Sequence, residues 1–219
     1  MFDFSSPSLP GLLGQSDREF LATTGMRRSY CNGEVIHERG QTKFPMSVVV
    51  SGKVRFERLF GDGRQVLMAI ASAGQNYGDQ GGPDETQYTH RATAIGDTEI
   101  DHYTGEAFAA LLERPEIVCA LYDVATFRYG RALDLLNDVR ALPAEVRVAK
   151  LLMAMRASAG GANRLECVQE DIANLLGMST VTLTKALKAL KSGGLIETGY
   201  RQVTISDTGK MHDLIAEWS

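Results

Sequence analysis

The stretch QEDIANLLGMSTVTLTKALKALKSGGLI, from Gln169 to Ile196, has the pattern of two short helices joined by a tight turn. Apolar residues recur at helical spacing on both sides of that turn: Ile172, Ala173, Leu176, Leu183, Leu187 and Leu190. Gly177 stands where the turn needs a positive φ, and the hydroxyl of Ser179 is placed to cap the second helix. Because an ordinary pair of helices would not require a small residue, a glycine and a capping residue at these offsets, we predict a helix-turn-helix.

Two short strands follow, LIET (195–198) and QVTIS (202–206), with Gly199 in the predicted turn between them. A β-hairpin directly after a helix-turn-helix indicates the wing of a winged DNA-binding domain. The exposed start of the second helix carries hydroxyl side chains and then lysines, which suit base edges and phosphates. We therefore predict that double-stranded DNA is bound by Ser179, Thr180, Val181, Thr182, Thr184, Lys185, Lys188 and, on the wing, Arg201.

The net charge of the chain, −4, is unusual for a protein that binds DNA, but the charges are unevenly distributed. From Pro143 onward the chain has nine Lys and Arg and eight Asp and Glu, whereas residues 1–142 hold 14 basic and 19 acidic residues. Three lysines share the predicted second helix. A local basic patch of this kind is enough for phosphate contacts, so the composition permits DNA binding without requiring it.

Upstream, residues 27–100 have the pattern of short strands rich in Val, Ile, Phe and Tyr and separated by glycines. VRFERLF and RQVLMAI form a predicted β-hairpin, because Asp62-Gly63 between them supplies the positive φ of a tight turn. Many short strands with frequent turns indicate a rolled antiparallel sheet. The predicted fold class is therefore α+β, with an antiparallel β-roll in residues 1–114, a long helix in 115–141 and a winged helix-turn-helix in 142–219.

The long helix is predicted from Pro115, which suits a first helical turn, to Ala141. Such a helix measures about 40 Å, more than the width of a small domain, so it needs a partner beyond its own domain. One stripe along it alternates spacings of three and four residues: Ile117, Leu121, Val124, Arg128, Arg131 and Leu135. We predict that this stripe is the interface of a homodimer. The alternative is packing on the chain's own sheet, since two arginines interrupt the stripe.

Other protein classes are disfavoured by the sequence. No apolar run approaches the ~20 residues of a membrane span, so we expect a cytoplasmic protein without membrane contact. The three cysteines lie far apart with no CxxC pair, which argues against a disulfide framework and against a Cys-only zinc site. His37, His90 and His102 form no HxH pair, and neither a nucleophile elbow nor a Walker loop is present, so an enzyme is not expected.

The order of β-roll, long helix and winged helix-turn-helix resembles the CRP/FNR family of bacterial transcription regulators. The segments that match it best are GEVIHERG (33–40), VVVSGKVRFERLFGDGRQV (48–66), AGQNYGD (73–79) and QEDIANLLGMS (169–179). The resemblance implies a homodimer on a two-fold symmetric operator, with half-sites about 34 Å apart. It also implies RNA polymerase as a partner and a small-molecule or redox signal sensed in the roll.

The second helix departs from the family pattern. Members that read TGTGA-type half-sites carry Arg-Glu-Thr-x-x-Arg at its start, where this chain has Thr180, Val181, Thr182 and, at the last position, Lys185. The glutamate that would accept from a cytosine amine is absent, and a lysine cannot make the bidentate contact of an arginine with guanine. We predict a different operator, read more by apolar contacts and DNA shape.

The roll departs from the pattern of members that bind cyclic AMP. Their phosphate cassette is Gly-Glu-Leu followed by Arg-Ser/Thr-Ala, and here Gly78-Asp79 keeps the first half while Tyr88-Thr89 occupies the Arg-Ser position. Arg91 lies three residues further along the chain than the cassette arginine would. In a strand, a shift by an odd number of residues turns the side chain to the other face. We predict a degenerate effector site at Gly78, Asp79, Tyr88 and Thr89, with a cyclic nucleotide disfavoured and the effector otherwise unspecified.

Other sensing chemistries remain as alternatives. A four-cysteine iron–sulfur cluster is excluded because only one cysteine precedes residue 119. Haem ligation through His37, His90 or His102 is an alternative, although a lone histidine in a roll is more often structural. No cofactor or metal is predicted. A last alternative is a sensing module whose helix-turn-helix contacts another protein instead of DNA.

Overall fold

The computed structural model of the protein describes residues 6–61, 65–78 and 86–218. Its helices and strands, in chain order, are α1 (Leu9–Leu12), α2 (Gln15–Thr24), β1 (Met26–Tyr30), β2 (Val35–His37), β3 (Met46–Leu59), β4 (Gln65–Ser72), β5 (Asn76–Tyr77), β6 (Arg91–Tyr103), α3 (Gly105–Leu112), α4 (Pro115–Ala141), α5 (Ala144–Ser158), β7 (Arg164–Glu166), α6 (Gln169–Leu175), α7 (Thr180–Ser192), β8 (Ile196–Gly199), β9 (Gln202–Ile205) and α8 (Thr208–Ala216). None of the helices described is long and apolar enough to cross a membrane.

The first part of the chain is a rolled antiparallel sheet, as the sequence predicts. Its strands run in the order β1-β6-β3-β4, while β2 also pairs with β6 and β5 also pairs with β3. The two longest strands, β3 and β6, lie side by side and bring Val49 opposite Ile100 and Phe56 opposite Ala92. The predicted hairpin forms between β3 and β4. Its turn at Asp62-Gly63 lies outside the described residues.

Two apolar clusters hold this part together. One fills the roll and contains Val49, Val54, Phe56, Ala69, Ala71, Tyr77, Ala92 and Ile100. The other joins the helices to the sheet and contains Leu9, Leu13, Leu21, Met46, Val48, Tyr103, Leu111, Ile117 and Ala120. Because the second cluster includes two residues of α4, the start of the long helix belongs to the core of the roll.

The stripe of α4 predicted as the dimer interface is occupied within the chain. Ile117 and Val124 are fully buried, and Leu121 packs against the cluster that joins helices and sheet. Arg128 donates a hydrogen bond of 2.6 Å to the main-chain oxygen of Asn76 in β5. These contacts within the chain leave little of this part of the stripe for a second copy, and its assignment to a dimer interface stays a prediction.

The last two residues of that stripe lie in the C-terminal unit. The Arg131 side chain is half exposed and lies 3.9 Å from Asp134. Leu135 is half-buried and lines a cavity of about 90 Å³ together with Leu175 and Leu176. Leu135 is therefore partly covered by α6 and not by the sheet, and the assignment of these two residues to a dimer interface stays a prediction.

A second apolar row on α4 faces solvent. It lies one residue further along the chain, which turns it by about 100° around the helix axis. Its members alternate spacings of four and three residues: Val118, Tyr122, Ala125, Tyr129, Ala132, Leu136 and Val139. Tyr122, Tyr129 and Leu136 are 60–70% exposed. We refer to this row as the α4 seam.

The chain forms two compact units, one up to Gly130 and one from Arg131 onward. The C-terminal unit combines α5–α8 with a three-stranded sheet in the order β7-β9-β8. Its core consists of Val148, Ala149, Leu151, Leu152, Met155, Leu165, Ile172, Ala173, Leu176, Leu183, Ala186, Leu187, Leu190, Ile196, Val203, Ile205 and Met211. All six apolar positions that predicted the helix-turn-helix belong to this core.

Candidate nucleic-acid interface and effector site

The turn between α6 and α7 has the geometry that the sequence predicts. Gly177 adopts a φ of +58°, and the N–H of Met178 donates to the carbonyl of Ala173 across the turn. The N–H of Thr182 donates to Oγ of Ser179 at 3.1 Å, which caps α7. The turn and the cap together fix the start of α7 against α6.

The two faces of α7 are chemically distinct. Its inner face, with Leu183, Ala186, Leu187 and Leu190, is buried in the core of the unit. Its outer face presents Val181, which is 64% exposed, together with Thr184, Lys185 and Lys188. Neither lysine forms an ion pair with any residue that the structure describes. The outer face can therefore offer an apolar contact followed by two positive charges to an anionic surface.

Several of the predicted DNA-binding hydroxyls also stabilise α7 itself. Oγ of Ser179 lies 2.9 Å from Oγ1 of Thr182, and Oγ1 of Thr184 donates to the carbonyl of Thr180 at 2.8 Å. These hydroxyls can still accept a hydrogen bond, but their orientation is set by the helix. Val181, Lys185 and Lys188 are therefore the side chains of this face that are available without breaking a local contact.

The wing differs in one detail from the prediction. Gly199 is the last residue of β8, and the turn is formed by Tyr200 and Arg201. Arg201 is exposed and has a φ of +52°, and Tyr200 is 89% exposed. The turn was predicted at Gly199, and glycine adopts a positive φ without strain, yet the chain has its positive φ at Arg201.

The predicted effector residues lie where the roll approaches Phe44. Gly78 has a φ of +90°, and a β-carbon there would lie 3.0 Å from the carbonyl oxygen of Phe44, so the position requires glycine. Asp79 lies outside the described residues. Tyr88 is buried, and its hydroxyl oxygen accepts a hydrogen bond of 3.2 Å from the N–H of Phe44. Thr89 is exposed, with its hydroxyl 3.2 Å from Nδ1 of His90.

The ring of Tyr88 points into a box of aromatic side chains. It stacks on His37 with the ring centres 3.4 Å apart and the planes within 5° of parallel. Phe56, Tyr77 and His90 complete the box, with ring centres 5.3–6.5 Å from that of His37. Where the resemblance implies an arginine that holds a phosphate, this chain therefore has a stacked tyrosine.

The box is electrically neutral at physiological pH. Burial lowers the pKa of His37 to about 3, with the neighbouring His90 and His102 as smaller causes. Burial also lowers the pKa of His90. Neither ring nitrogen of His37 has a hydrogen-bond partner among the residues that the structure describes. A buried anion needs charged or N–H donors around it, and the described rings of this box are uncharged.

The arginine closest in sequence to the cassette points away from the box. Arg91 begins β6, is exposed, and lies 3.3 Å from Glu38. Outside the box, Tyr88 and Thr89 line a separate cavity of about 460 Å³ with Arg39, Gly40, Arg58, Thr86 and Gln87. Arg39, Arg58 and Arg91 are therefore exposed, whereas the half-buried Arg128 of α4 reaches Asn76, two residues before Gly78.

Hydrogen bonds of His102 bear on the alternative that a histidine of the roll ligates haem. Nδ1 of His102 lies 2.8 Å from Oγ of Ser47, and its Nε2 lies 2.9 Å from the hydroxyl of Tyr30. Both nitrogens of His102 are therefore engaged, which removes it from the possible haem ligands. Across the described residues, no group of three or more His, Cys, Asp or Glu side chains is arranged to hold a metal ion.

We expect the protein to lose stability as the pH falls from about 6.5 towards 3. Burial lowers the pKa of His37 to about 3 and that of His102 to about 4 in the folded state, whereas an exposed histidine titrates near 6.5. Below pH 6.5 the unfolded chain binds protons that the folded chain does not, so acid favours unfolding. At pH 5 each buried histidine lowers the free energy of unfolding by about 2 kcal/mol.

Thermal unfolding at pH 7 and pH 5 measures this loss. His37→Phe keeps a flat ring against Tyr88 and should reduce the fall in melting temperature between the two pH values. His212→Gln, which replaces an exposed histidine of α8, serves as the matched control and should leave the fall unchanged. An equal fall in wild type and His37→Phe would show that His37 does not contribute.

Two family models match the chain. A Crp-like helix-turn-helix domain matches residues 146–214, which include α6, α7 and the wing. A cyclic nucleotide-binding domain matches residues 27–115, which include the roll and α3.

Known proteins with similar sequences are transcription regulators. The chain is 30% identical over 186 residues to the CRP-like cAMP-activated global transcriptional regulator of Mycobacterium tuberculosis, covering 82% of this chain and 83% of that protein. It is 26% identical over 205 residues to the nitrogen fixation regulation protein FixK of Azorhizobium caulinodans, covering 90% and 82%. Among solved structures, FixK2 of Bradyrhizobium japonicum shares the fold, with a TM-score of 0.70 at 24% identity over 87% of this chain and 96% of that chain.

Proposed function

The chain belongs to the CRP/FNR family of bacterial transcription regulators, and on this premise we propose that it works as a homodimer that reads a two-fold symmetric DNA operator. The outer face of α7 is the observation that carries this proposal. It combines an exposed Val181 with Lys185 and Lys188, on a helix whose start is fixed by a turn and a cap. Since the proposed target is chromosomal DNA, we place the protein in the bacterial cytoplasm.

The proposed reading mode follows from the side chains on α7. Val181 can contact the methyl group of a thymine, while Lys185 and Lys188 attract phosphates or a guanine edge as point charges. Ser179, Thr180, Thr182 and Thr184 offer hydroxyls at the start of the helix. Without bidentate donors or an acceptor for cytosine, base discrimination relies more on apolar contacts and DNA shape than in regulators that read TGTGA.

The α4 seam is the proposed dimer interface. It extends over about six turns of α4. Tyr122, Tyr129 and Leu136, its most exposed side chains, are costly to leave in contact with water in a monomer. A spacing of four and three residues is the spacing of two helices that pack side by side along their length. A second copy of α4 presents the same row, so the two seams are complementary by symmetry.

The effector, if one is used, is proposed to differ from a cyclic nucleotide. Gly78, Asp79, Tyr88 and Thr89 remain the proposed effector residues. The stacked Tyr88 fills the place of the phosphate-binding arginine, and the surrounding box is neutral. Because the box is already filled by the protein's own rings, this arrangement fits a regulator that needs no ligand. It fits a regulator with a different ligand equally well.

Titration calorimetry with cyclic AMP and with cyclic GMP tests this part of the proposal. We expect no saturable binding at nucleotide concentrations up to ~1 mM, because the anionic phosphate would lose its hydration in a box whose described rings are uncharged. We expect DNA binding to be unchanged when either nucleotide is added. Micromolar binding of one of them, accompanied by tighter DNA binding, would overturn this reading.

Salt dependence separates the DNA proposal from a helix-turn-helix that contacts protein. Phosphate contacts release counterions, so affinity for a DNA duplex should fall steeply between 50 and 200 mM salt. A complex held by α7 through apolar protein contacts would respond weakly. Contact with RNA polymerase, which family membership supports, would be made by other surfaces while α7 occupies the DNA.

A further inference from the structure

The tip of the wing combines two features that are unfavourable in the free protein. Arg201 is the only non-glycine residue of the described chain with a positive φ, at +52°, where a β-carbon is strained. Tyr200, directly before it, is the most exposed large apolar side chain of the described residues, at 89%. Glycine or asparagine would suit the turn better than arginine. The packing of the domain therefore does not account for either side chain.

The position of this tip is fixed by both helices of the helix-turn-helix. The N–H of Cys167 donates to the main-chain oxygen of Arg201 at 3.0 Å, and the next residue, Val168, is the N-cap of α6. At the base of the wing, the N–H of Leu195 donates to the carbonyl of Leu190 near the end of α7. The tip therefore lies beside the start of α6 and cannot shift independently of the two helices.

The position of the wing tip beside the start of α6 indicates which groove of the DNA the tip meets. When a helix-turn-helix docks, its second helix lies in the major groove and its first helix crosses the sugar-phosphate backbone. Beyond a crossed backbone lies the minor groove. That groove is about 6 Å wide, which admits a side chain but not a strand, and it is narrower and more negative where the sequence is A/T-rich. A guanidinium at a protruding turn matches these dimensions and this charge.

We propose that Arg201 enters the minor groove beside each half-site, that Tyr200 packs against the adjoining sugar-phosphate wall, and that the protein therefore prefers A/T-rich flanks. The inference rests on the proposed function and adds a second site of sequence preference to it. Of the acidic residues in the same sheet, Glu197 lies opposite Thr204, away from the tip, and its charge opposes phosphate contact along the body of the wing. Glu166 lies opposite Gln202, next to Arg201, so the contact at the tip depends on the Arg201 side chain itself.

The test uses the full-length protein and fluorescence anisotropy with two labelled duplexes. Both carry the same operator, obtained by selection from random DNA, and differ only in A/T or G/C base pairs outside the half-sites. Arg201→Gly and Arg201→Asn both remove the guanidinium and both suit a positive φ, so neither should unfold the wing. Lys210→Gln, in α8 of the same unit, removes one positive charge elsewhere and is the matched control.

Wild type and Lys210→Gln should bind the A/T-flanked duplex about tenfold more tightly than the G/C-flanked one. Both Arg201 variants should lose this preference, and the slope of log affinity against log salt should fall by about two per dimer. The melting temperature of Arg201→Gly should rise by about 2–4 °C, because the strain is relieved.

Retention of the A/T preference by both Arg201 variants would overturn the inference. An equal loss of affinity for both duplexes would also overturn it, because it would indicate a phosphate contact without groove preference. Unchanged DNA binding with lost binding to RNA polymerase would show that the tip contacts protein. If wild type binds neither duplex, the proposed function itself fails, and this outcome is distinguishable from the others.

Discussion

Leu136→Glu is expected to convert the dimer into monomers and to weaken operator binding by more than 100-fold. Leu136 is 60% exposed and stands in the middle of the C-terminal half of the α4 seam. In a symmetric pair of helices it faces its own copy, so the substitution removes about 2–3 kcal/mol of apolar burial per protomer and opposes two carboxylates. A monomer engages one half-site, and the gain from linking two binding events is lost.

Sedimentation velocity and anisotropy on the selected operator measure the two effects. The control is Asn137→Glu, which introduces the same charge one residue away, on an exposed position outside the seam. Leucine and glutamate have similar helix propensities, so α4 should persist in the Leu136 variant, and far-ultraviolet circular dichroism checks this. A Leu136→Glu variant that remains dimeric would show that the α4 seam is not the interface.

Lys185→Glu is expected to reduce operator affinity by about 100-fold at 150 mM salt. Lys185 lies on the outer face of α7, is exposed, and has no ion pair among the described residues, so its charge is available to DNA. The dimer contains it twice, and each copy loses an attractive contact of about 1–1.5 kcal/mol and gains a repulsive one. Folding should be unaffected, because the side chain lies on the solvent face of the helix.

Anisotropy at several salt concentrations gives both the affinity and its salt slope. Lys53→Glu, on an exposed position of β3, changes the net charge by the same amount and controls for long-range repulsion. We expect Lys53→Glu to bind DNA within about threefold of wild type, since screening weakens charges beyond about 10 Å. Similar losses in both variants would mean that net charge, and not the face of α7, governs binding.

The helix-turn-helix could be predicted closely because its local requirements are strict. Only glycine fits the turn without strain, only a short polar residue caps the next helix, and the apolar spacing fixes which face is buried. Gly177, Ser179 and the buried leucines of α7 all have the roles that their positions predict. The rolled sheet was also predictable, since glycines and β-branched residues mark its strands and turns.

The face of α4 that packs against the chain could not be predicted in the same way. The spacing of apolar residues shows that a helix has an apolar face, but two neighbouring rows with the same spacing leave open which of them is buried. The predicted stripe and the α4 seam have the same alternation of three and four residues and differ by one position. Which of them is buried depends on where the roll contacts α4, as the bond from Arg128 to Asn76 shows. The interruption of the stripe by two arginines was the signal that supported packing within the chain.

Two features near the proposed sites depend on contacts that are distant in sequence. The stack of Tyr88 on His37 joins residues on different strands, so the sequence indicates only that an arginine is missing from the cassette. At the wing, the turn lies one residue beyond Gly199, because pairing of Gly199 with Gln202 places the glycine in the strand. Register between strands decides such details, and local preference does not determine it.

The central claim is that two copies of this chain read one symmetric operator through α7. Selection of bound duplexes from random DNA, followed by mass photometry of the enriched sequence with wild-type protein, tests it most directly. We predict an inverted repeat with half-site centres about 10 base pairs apart, without TGTGA/TCACA, occupied by two protomers. No enrichment, or an unrepeated site occupied by a single protomer, would contradict it, and enrichment of TGTGA/TCACA would contradict the proposed reading by Val181 and the lysines of α7.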